Sequence, residues 1–428
     1  MECLNVTGAA APGVFAQLLS GTLTTLMTAS CLLVDPAQWP PDRAERLLNN
    51  DIQEYDFIVV GAGSAGSVVA SRLSEIQEWK VLLLEAGGDP PVESQIPNLF
   101  IETMKSNIDW QHETEMDPNS CLGMAGQRCH WSNGKVLGGS SATNNMLYTR
   151  GNPHDYNSWK ANDSLNWGYE DSIQYFKKSE DMKDRKILKK PEFERFHKTN
   201  GFLNVDRFKD SLDLGEIILE AEEELGHAIL NDLNADIHVG FGYAHGTVLN
   251  GLRHSSASAF LKPAKDRDNL DVVKFAEATK ILIDKETKKV KGVEFTLKEK
   301  TLKIMARKEV ILSAGAINSP KILMLSGIGP KQHLIDVGIE TIIDLPVGEN
   351  LQDQVVTPVF YKAKRFNKTK TDLTWGILKF LVKQKGMFGS IGTLDVTGFV
   401  KTNVNNISYP DIQYQFYTLP ANSQQPSK

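Results

Sequence analysis

With 428 residues, of which 41% are hydrophobic and 23% charged, the chain is long enough for two or more domains and ordinary for a folded protein. The net charge of −6 excludes a broad basic face for nucleic acid, and the basic runs at Lys177-Lys178 and residues 186–190 read as solvated surface. Residues 8–34 are small, apolar and hydroxylated, but Gln17 and several Ser and Thr residues interrupt them, so no stable membrane span is expected. No Lys or Arg precedes Arg43, so the stretch reads either as a secretory leader lacking its basic start or as a loose N-terminal extension. Pro36, Pro40 and Pro41 then mark a linker, and residues 1–50 stand apart from the folded part.

The apolar run Tyr55-Asp56-Phe57-Ile58-Val59-Val60 predicts a buried strand. Gly61-Ala62-Gly63-Ser64-Ala65-Gly66 follows as a Gly-x-Gly-x-x-Gly turn, and Ala65, Val68, Val69 and Leu73 predict the apolar face of a helix. A second strand, Val81-Leu82-Leu83-Leu84, ends on Glu85. This is the βαβ setting of a dinucleotide fingerprint. Gly61 permits the tight turn, Gly63 leaves room for a pyrophosphate, and Gly66 brings the helix close to the sheet. The unpaired N–H groups of the helix start would meet the phosphates, and Glu85 would accept hydrogen bonds from a ribose.

Residues 87–139 show little periodicity, the mark of a functional or cofactor-covering segment. Cys121 and Cys129 sit there without zinc-site spacing, and no metal site is expected. They are read as a local disulfide or as two thiols. Sequons stand at Asn5, Asn162, Asn367 and Asn406. A mixed polar region at 150–235 contains a helical stretch at 212–225. Strands are predicted at 271–276, 279–283, 290–297, 302–306 and 309–313, with a polar turn at 284–289. A helix begins at Asn318-Ser319-Pro320. A strand meander returning to a strand that ends in Ala314-Gly315-Ala316 predicts an α/β fold: a doubly wound, Rossmann-type flavin-binding domain.

The run from Gly134 through Val136, Leu137, Gly138-Gly139-Ser140-Ser141-Ala142-Thr143 and Asn144-Asn145-Met146-Leu147 to Gly151 separates FAD from NAD. With the fingerprint and Glu85, with Gly315 to Pro320 and Ser326 to Pro330, and with Val347 to Asp353, it resembles the glucose–methanol–choline (GMC) family of flavoprotein oxidoreductases. The Cys121 to Cys129 loop and Asp109-Trp110 are similar to its insect branch, which includes FAD-quinone glucose dehydrogenases and ecdysone oxidase. The resemblance implies FAD as cofactor, held at Gly61, Gly63, Ser64, Ala65, Gly66 and Glu85. It implies flavin contacts from Val136, Gly139, Asn144, Asn145, Met146 and Leu147, mainly through backbone, and an adenine contact from Ala278. The hydroxyls of Ser140 and Ser141 suit a loop wrapped around a planar anionic ligand. Ser132-Asn133, Thr143, Asn145 and Gln354 depart from the family pattern without blocking binding.

The implied reaction is hydride transfer from a sugar, steroid or other alcohol to flavin, with a quinone or oxygen as acceptor. The family's catalytic His lies in a later segment, so the chain is expected to be C-terminally truncated, and no catalytic residue is assigned among the nine histidines. His238, His245 and His254 are expected to have structural or surface roles. The expected layout is a FAD domain at 51–353, with a substrate-domain insertion around 155–240, and a partial α+β substrate domain from 354 to 428. A catalytically defective flavin-binding short form and an NAD-dependent dehydrogenase are the alternatives. An extracellular location is expected, with a cytoplasmic one as alternative.

Overall fold

The computed structural model describes residues 35–49, 53–162, 167–208, 213–361, 373–391, 395–402 and 409–417. The leader-like stretch, Cys3, Cys31 and the sequons at Asn5, Asn367 and Asn406 lie outside the described residues. Two compact units emerge. One gathers residues 1–91, 103–143 and 256–372; the other gathers 92–102, 144–255 and 373–428.

The first unit is an α/β layer built on strands β1 (Glu54–Val60), β2 (Val81–Leu84), β3 (Leu270–Val273), β4 (Ala276–Ile283), β5 (Val290–Leu297) and β6 (Lys300–Leu312). They form one sheet in the order β3-β2-β1-β6-β5-β4. The first four are parallel, and β6, β5 and β4 form an antiparallel meander. In-register pairing puts Val60 beside both Leu84 and Leu312, so three strands end together at their carboxyl edge. Alternation divides the apolar side chains between two faces. Ile58, Val60, Leu82 and Leu84 join Phe295 and Ile322 in one core cluster, while Val59, Val81 and Leu83 join Ala70 and Leu261 in the other.

Helix α1 (Ser64–Leu73) follows β1, and α2 (Gly315–Leu325) follows β6. The buried residues of α1 are Gly66, Ser67, Ala70 and Ser71, with Val69 and Leu73 packed against the core. This corrects the expected apolar face, because Ala65 is exposed and Val68 only half-buried. Small side chains take the buried stripe because the helix runs so close to the sheet that a Cβ on Gly66 would lie 1.8 Å from the Gly61 carbonyl oxygen.

Three strand expectations change. The strand expected at 271–276 stops at Val273. Phe275 adopts φ +55°, and β4 starts afresh at Ala276. The strands expected at 302–306 and 309–313 are one 13-residue strand. Arg307, between the two expected strands, pairs with Asp56 at 3.0 Å where β6 exchanges its antiparallel partner β5 for its parallel partner β1. Helix α2 begins at Gly315 rather than Asn318 and holds Pro320 within it.

The second unit is α+β. One four-stranded sheet runs in the order Leu147–Tyr148, His245–Gly246, Leu203–Arg207, Glu180–Met182. Another runs Ile412–Gln415, Val396–Val400, Gly240–Tyr243, Ile229–Leu230. The helix expected at 212–225 is present as Asp213–Glu224. A buried ionic chain ties the first sheet to its connections. Arg150 meets Glu180 at 2.8 Å, and His197 meets Glu180 through Nδ1 at 3.1 Å and Asp232 through Nε2 at 3.0 Å.

Candidate cofactor site

The glycine turn is built by the meeting of β1, β2 and β6. Gly61 donates its N–H to Leu84 O at 2.8 Å, and Ser313 donates to Val60 O at 2.8 Å. Gly61 has φ +93°, and a Cβ there would strike Ser313 O at 2.6 Å. Gly63 differs: a Cβ would meet only the Gly139 Cα at 3.8 Å. Protein packing therefore does not require glycine at 63. The space beside it belongs to a cavity of about 510 Å³. Gly61, Gly63, Ser64, Ala65, Glu85, Gly139 and Ala278 all line this cavity. The N-cap of α1 is Gly63, which offers no side chain to the first N–H groups of the helix. Those groups remain available to an anion.

Glu85 is 5% exposed, with Oε2 accepting from the Ala62 N–H and Oε1 from the Gly87 N–H, both at 2.8 Å. Burial pushes its carboxyl up to about 7, against the pull of those two N–H donors. Glu85 thus staples the glycine turn to the tip of β2, while each oxygen keeps a lone pair for a further donor. Ser256 makes a second staple: its hydroxyl lies 2.8 Å from Ser141 Oγ and donates to Gly63 O at 3.3 Å.

Ser140 lines the cavity, but Ser141 turns its hydroxyl to Gly138 O at 2.6 Å and to Ser256. The Val136 side chain is fully buried with Ile108 and Ala142, so only its backbone is left for a ligand. Gly66 lies behind the turn, in the helix–sheet contact, rather than on the wall.

Asn144, Asn145, Met146 and Leu147 belong to the second unit. Asn144 Oδ1 accepts from the Met146 N–H at 3.1 Å and from Arg253 Nη1 at 2.8 Å. Met146 has φ +63° and is fully buried beside Phe208, Val248 and Ile391. Leu147 pairs in register with Gly246. His238, His245 and His254 belong to this unit, and the latter two are buried. His245 Nε2 meets Asp184 at 3.0 Å, His254 Nδ1 accepts from the Asn204 N–H at 3.1 Å, and burial holds His238 below the usual imidazole value.

Sequence reasoning missed part of the cavity wall. Trp110 and His112 are near-parallel at 5.9 Å, and Lys135 Nζ sits 4.4 Å from the Trp110 ring centroid. Both rings line the cavity, as do Asn318 and Lys321. Burial and the Lys321 ammonium hold His112 below the usual imidazole value. His112 Nε2 and Asn318 Oδ1 are buried and have no hydrogen-bond partner among the described residues. Two unsatisfied polar atoms on residues lining one cavity fit a polar ligand. Trp110 lies outside the short strand His112–Glu113, so no strand pattern in the sequence flags this pair. The Cys121–Cys129 pair, left open above, is a disulfide closing the hairpin of His112–Glu113 and His130–Trp131.

The doubly wound sheet, the glycine turn on α1 and the acidic tip of β2 define a dinucleotide-binding flavoprotein class. Residues 55–356 match the family model for GMC oxidoreductases, and the chain belongs to that family. The family comprises enzymes whose cofactor is FAD. The chain is 44% identical over 406 residues to a Drosophila melanogaster glucose dehydrogenase [FAD, quinone], covering 94% of this chain and 63% of the relative. It is 38% identical to a Bombyx mori ecdysone oxidase, over 85% of this chain and 53% of that one. The chain thus spans less than two thirds of the length of these relatives. Among solved structures, a formate oxidase matches with a TM-score of 0.70 and 27% identity, over 82% of this chain and 62% of its own.

Proposed function

We propose that the cavity of the first unit binds FAD and that this chain forms part of a secreted oxidoreductase acting on the CH–OH group of a small alcohol. The observation that carries the reading is Gly63, whose missing side chain leaves space that only a ligand would use. Gly61, Gly63, Ser64 and Ala65 form the pyrophosphate turn, with Gly66 packing α1 against it and the α1 N–H groups as donors to the phosphates. Glu85 keeps the turn closed and accepts from a ribose hydroxyl. Ala278 is short enough for a purine to lie against β4, and the unsatisfied Asn318 and His112 atoms supply further polar contacts. Gly139 and the Val136 backbone serve the flavin ring. When bound, FAD supplies the two-electron acceptor for alcohol oxidation.

The names of the relatives support a sugar or steroid alcohol as substrate and a quinone or oxygen as acceptor. The Cys121–Cys129 disulfide supports an oxidising compartment. Among the described residues no helix is long and apolar enough to cross a membrane. The reading is tested by adding FAD to purified protein and removing the excess. Retained yellow absorbance with quenched fluorescence is expected. Equal uptake of FAD by a Gly63→Val variant would argue against this cavity.

A further inference from the structure

A second cavity, of about 290 Å³, lies wholly within the second unit. The helices Pro153–Asn162 and Tyr169–Ser179 and the short helix Phe193–Phe196 contribute to its wall. Phe196, 3% exposed, and Ile173 give it apolar lining. The polar lining is mixed in sign. Arg195 Nη1 meets Asp236 Oδ2 at 2.9 Å, and the guanidinium carbon stands 4.8 Å from the Phe196 ring centroid. Glu170 adds a second carboxylate. Tyr169 is 8% exposed, and its hydroxyl has no hydrogen-bond partner among the described residues. The His238 ring has none there either. Burial holds that imidazole below its ordinary value, so at neutral pH it presents one N–H donor and one acceptor nitrogen. Burial likewise keeps the Tyr169 phenol protonated.

These groups disfavour two kinds of ligand. An anion would meet two carboxylates and a single guanidinium that is already paired. A metal ion needs several close ligands, and among the described residues no group of three His, Cys, Asp or Glu side chains could hold one. The lining matches a neutral ligand that carries donors and acceptors side by side and also has an apolar face. We propose that this cavity binds one polyhydroxylated ring, a monosaccharide unit, whose hydroxyls complete the hydrogen bonds of Tyr169 and His238. A hydroxyl both donates and accepts, so neighbouring hydroxyls satisfy the phenol, the imidazole and the open edges of the Arg195–Asp236 pair together. The C–H groups of the ring lie against Ile173 and Phe196. The volume sits at the lower end for small-molecule pockets, which start at roughly 300 Å³, and so suits one ring rather than a chain of them. Binding here requires no flavin.

The test titrates the full chain, its histidine rings isotopically labelled, with the methyl glycosides of glucose, galactose and mannose. The His238 ring signal is identified by its loss in His238→Phe. At least one glycoside is expected to shift that signal saturably. Tyr169→Phe removes one oxygen and leaves the buried ring in place. It is expected to keep the thermal midpoint of the wild type and to bind the same glycoside roughly threefold to tenfold more weakly, the worth of one hydrogen bond. His238→Phe, at a half-buried position, should weaken binding by a similar factor, read from saturation transfer to the sugar. Should Tyr169→Phe unfold, that second variant carries the same comparison. No saturable shift from any of the glycosides would overturn the proposal. A shift produced by inorganic phosphate at lower concentration than by any glycoside would make this an anion site and overturn it too. Wild-type affinity in a folded Tyr169→Phe or in His238→Phe would remove the named contacts and with them the proposal.

Discussion

Gly63 and Gly66 belong to one sequence pattern, but the structure gives them different physical reasons. A methyl on Gly66 would penetrate the Gly61 carbonyl, with 1.8 Å between centres, whereas one on Gly63 would meet only the Gly139 Cα at 3.8 Å. Gly66→Ala should therefore cost roughly 1–3 kcal/mol or more of stability, the range for overpacking a rigid contact. Chemical denaturation reads this directly. Gly63→Ala should unfold like wild type yet bind FAD at least about tenfold more weakly. If both variants lose stability alike, Gly63 has a packing role and the cavity argument fails.

Glu85 provides a pH test at the same scale. Its folded carboxyl titrates at about 7 against an ordinary 4.5, chiefly because it is buried. The fold thus prefers the protonated acid, and ionising it inside the protein costs stability that the unfolded chain does not lose. Stability in the cofactor-free protein should fall as pH rises from 4.5 to about 7, and Glu85→Gln should remove that part of the slope. Parallel pH profiles for the two proteins would show that Glu85 is not held as described.

Among the elements, the buried ionic chain that links Glu180 of the strand Glu180–Met182 to Arg150, His197 and Asp232 invites the clearest test. His197 lies between Glu180 and Asp232 with its side chain 1% exposed. Burial alone would lower its pKa, but hydrogen bonds to the two carboxylates raise it above the ordinary 6.5. Its stabilising contribution is present below 6.5 and is lost as pH rises through the raised value. Asp232 moves the other way: despite burial, the His197 hydrogen bond lowers it to about 2. Its contribution is present above 3.8 and is lost as pH falls toward about 2. Breaking one partner strands buried charge, so His197→Gln should cost roughly 3–5 kcal/mol near neutral pH and less at alkaline pH. Thermal midpoints across pH check both the size and the sign.

The same elements show what the sequence carried and what it did not. Continuous apolar runs such as Val81 to Leu84 report burial on both faces of a sheet, so β1 and β2 were legible from composition alone. The length of β6 was not. Arg307 lies in the gap between the two expected strands, and its partner Asp56 is 251 residues away in the sequence. His197 is likewise an ordinary histidine in the sequence, because both of its carboxylate partners come from distant elements.

For the molecule as a whole, local patterns carried the fold class and the cavity's near wall. The Gly-rich turn, the acidic strand tip and the Ala-Gly end of β6 all lie within a few residues of the ligand space. The far wall of Trp110, His112 and Lys321 was hidden, since those residues come from a loop without periodicity and from a helix face that reads as solvated. The Arg253–Asn144 contact spans 109 residues and has no local signature at all.

The account depends most directly on FAD occupancy of the first unit's cavity. Calorimetric titration of flavin-free protein with FAD, repeated in the presence of ADP, measures it. The account predicts stoichiometric FAD binding that ADP competes away and that Gly63→Val abolishes while the protein stays folded. Folded protein that binds no FAD, or FAD binding indifferent to both ADP and Gly63→Val, would contradict it.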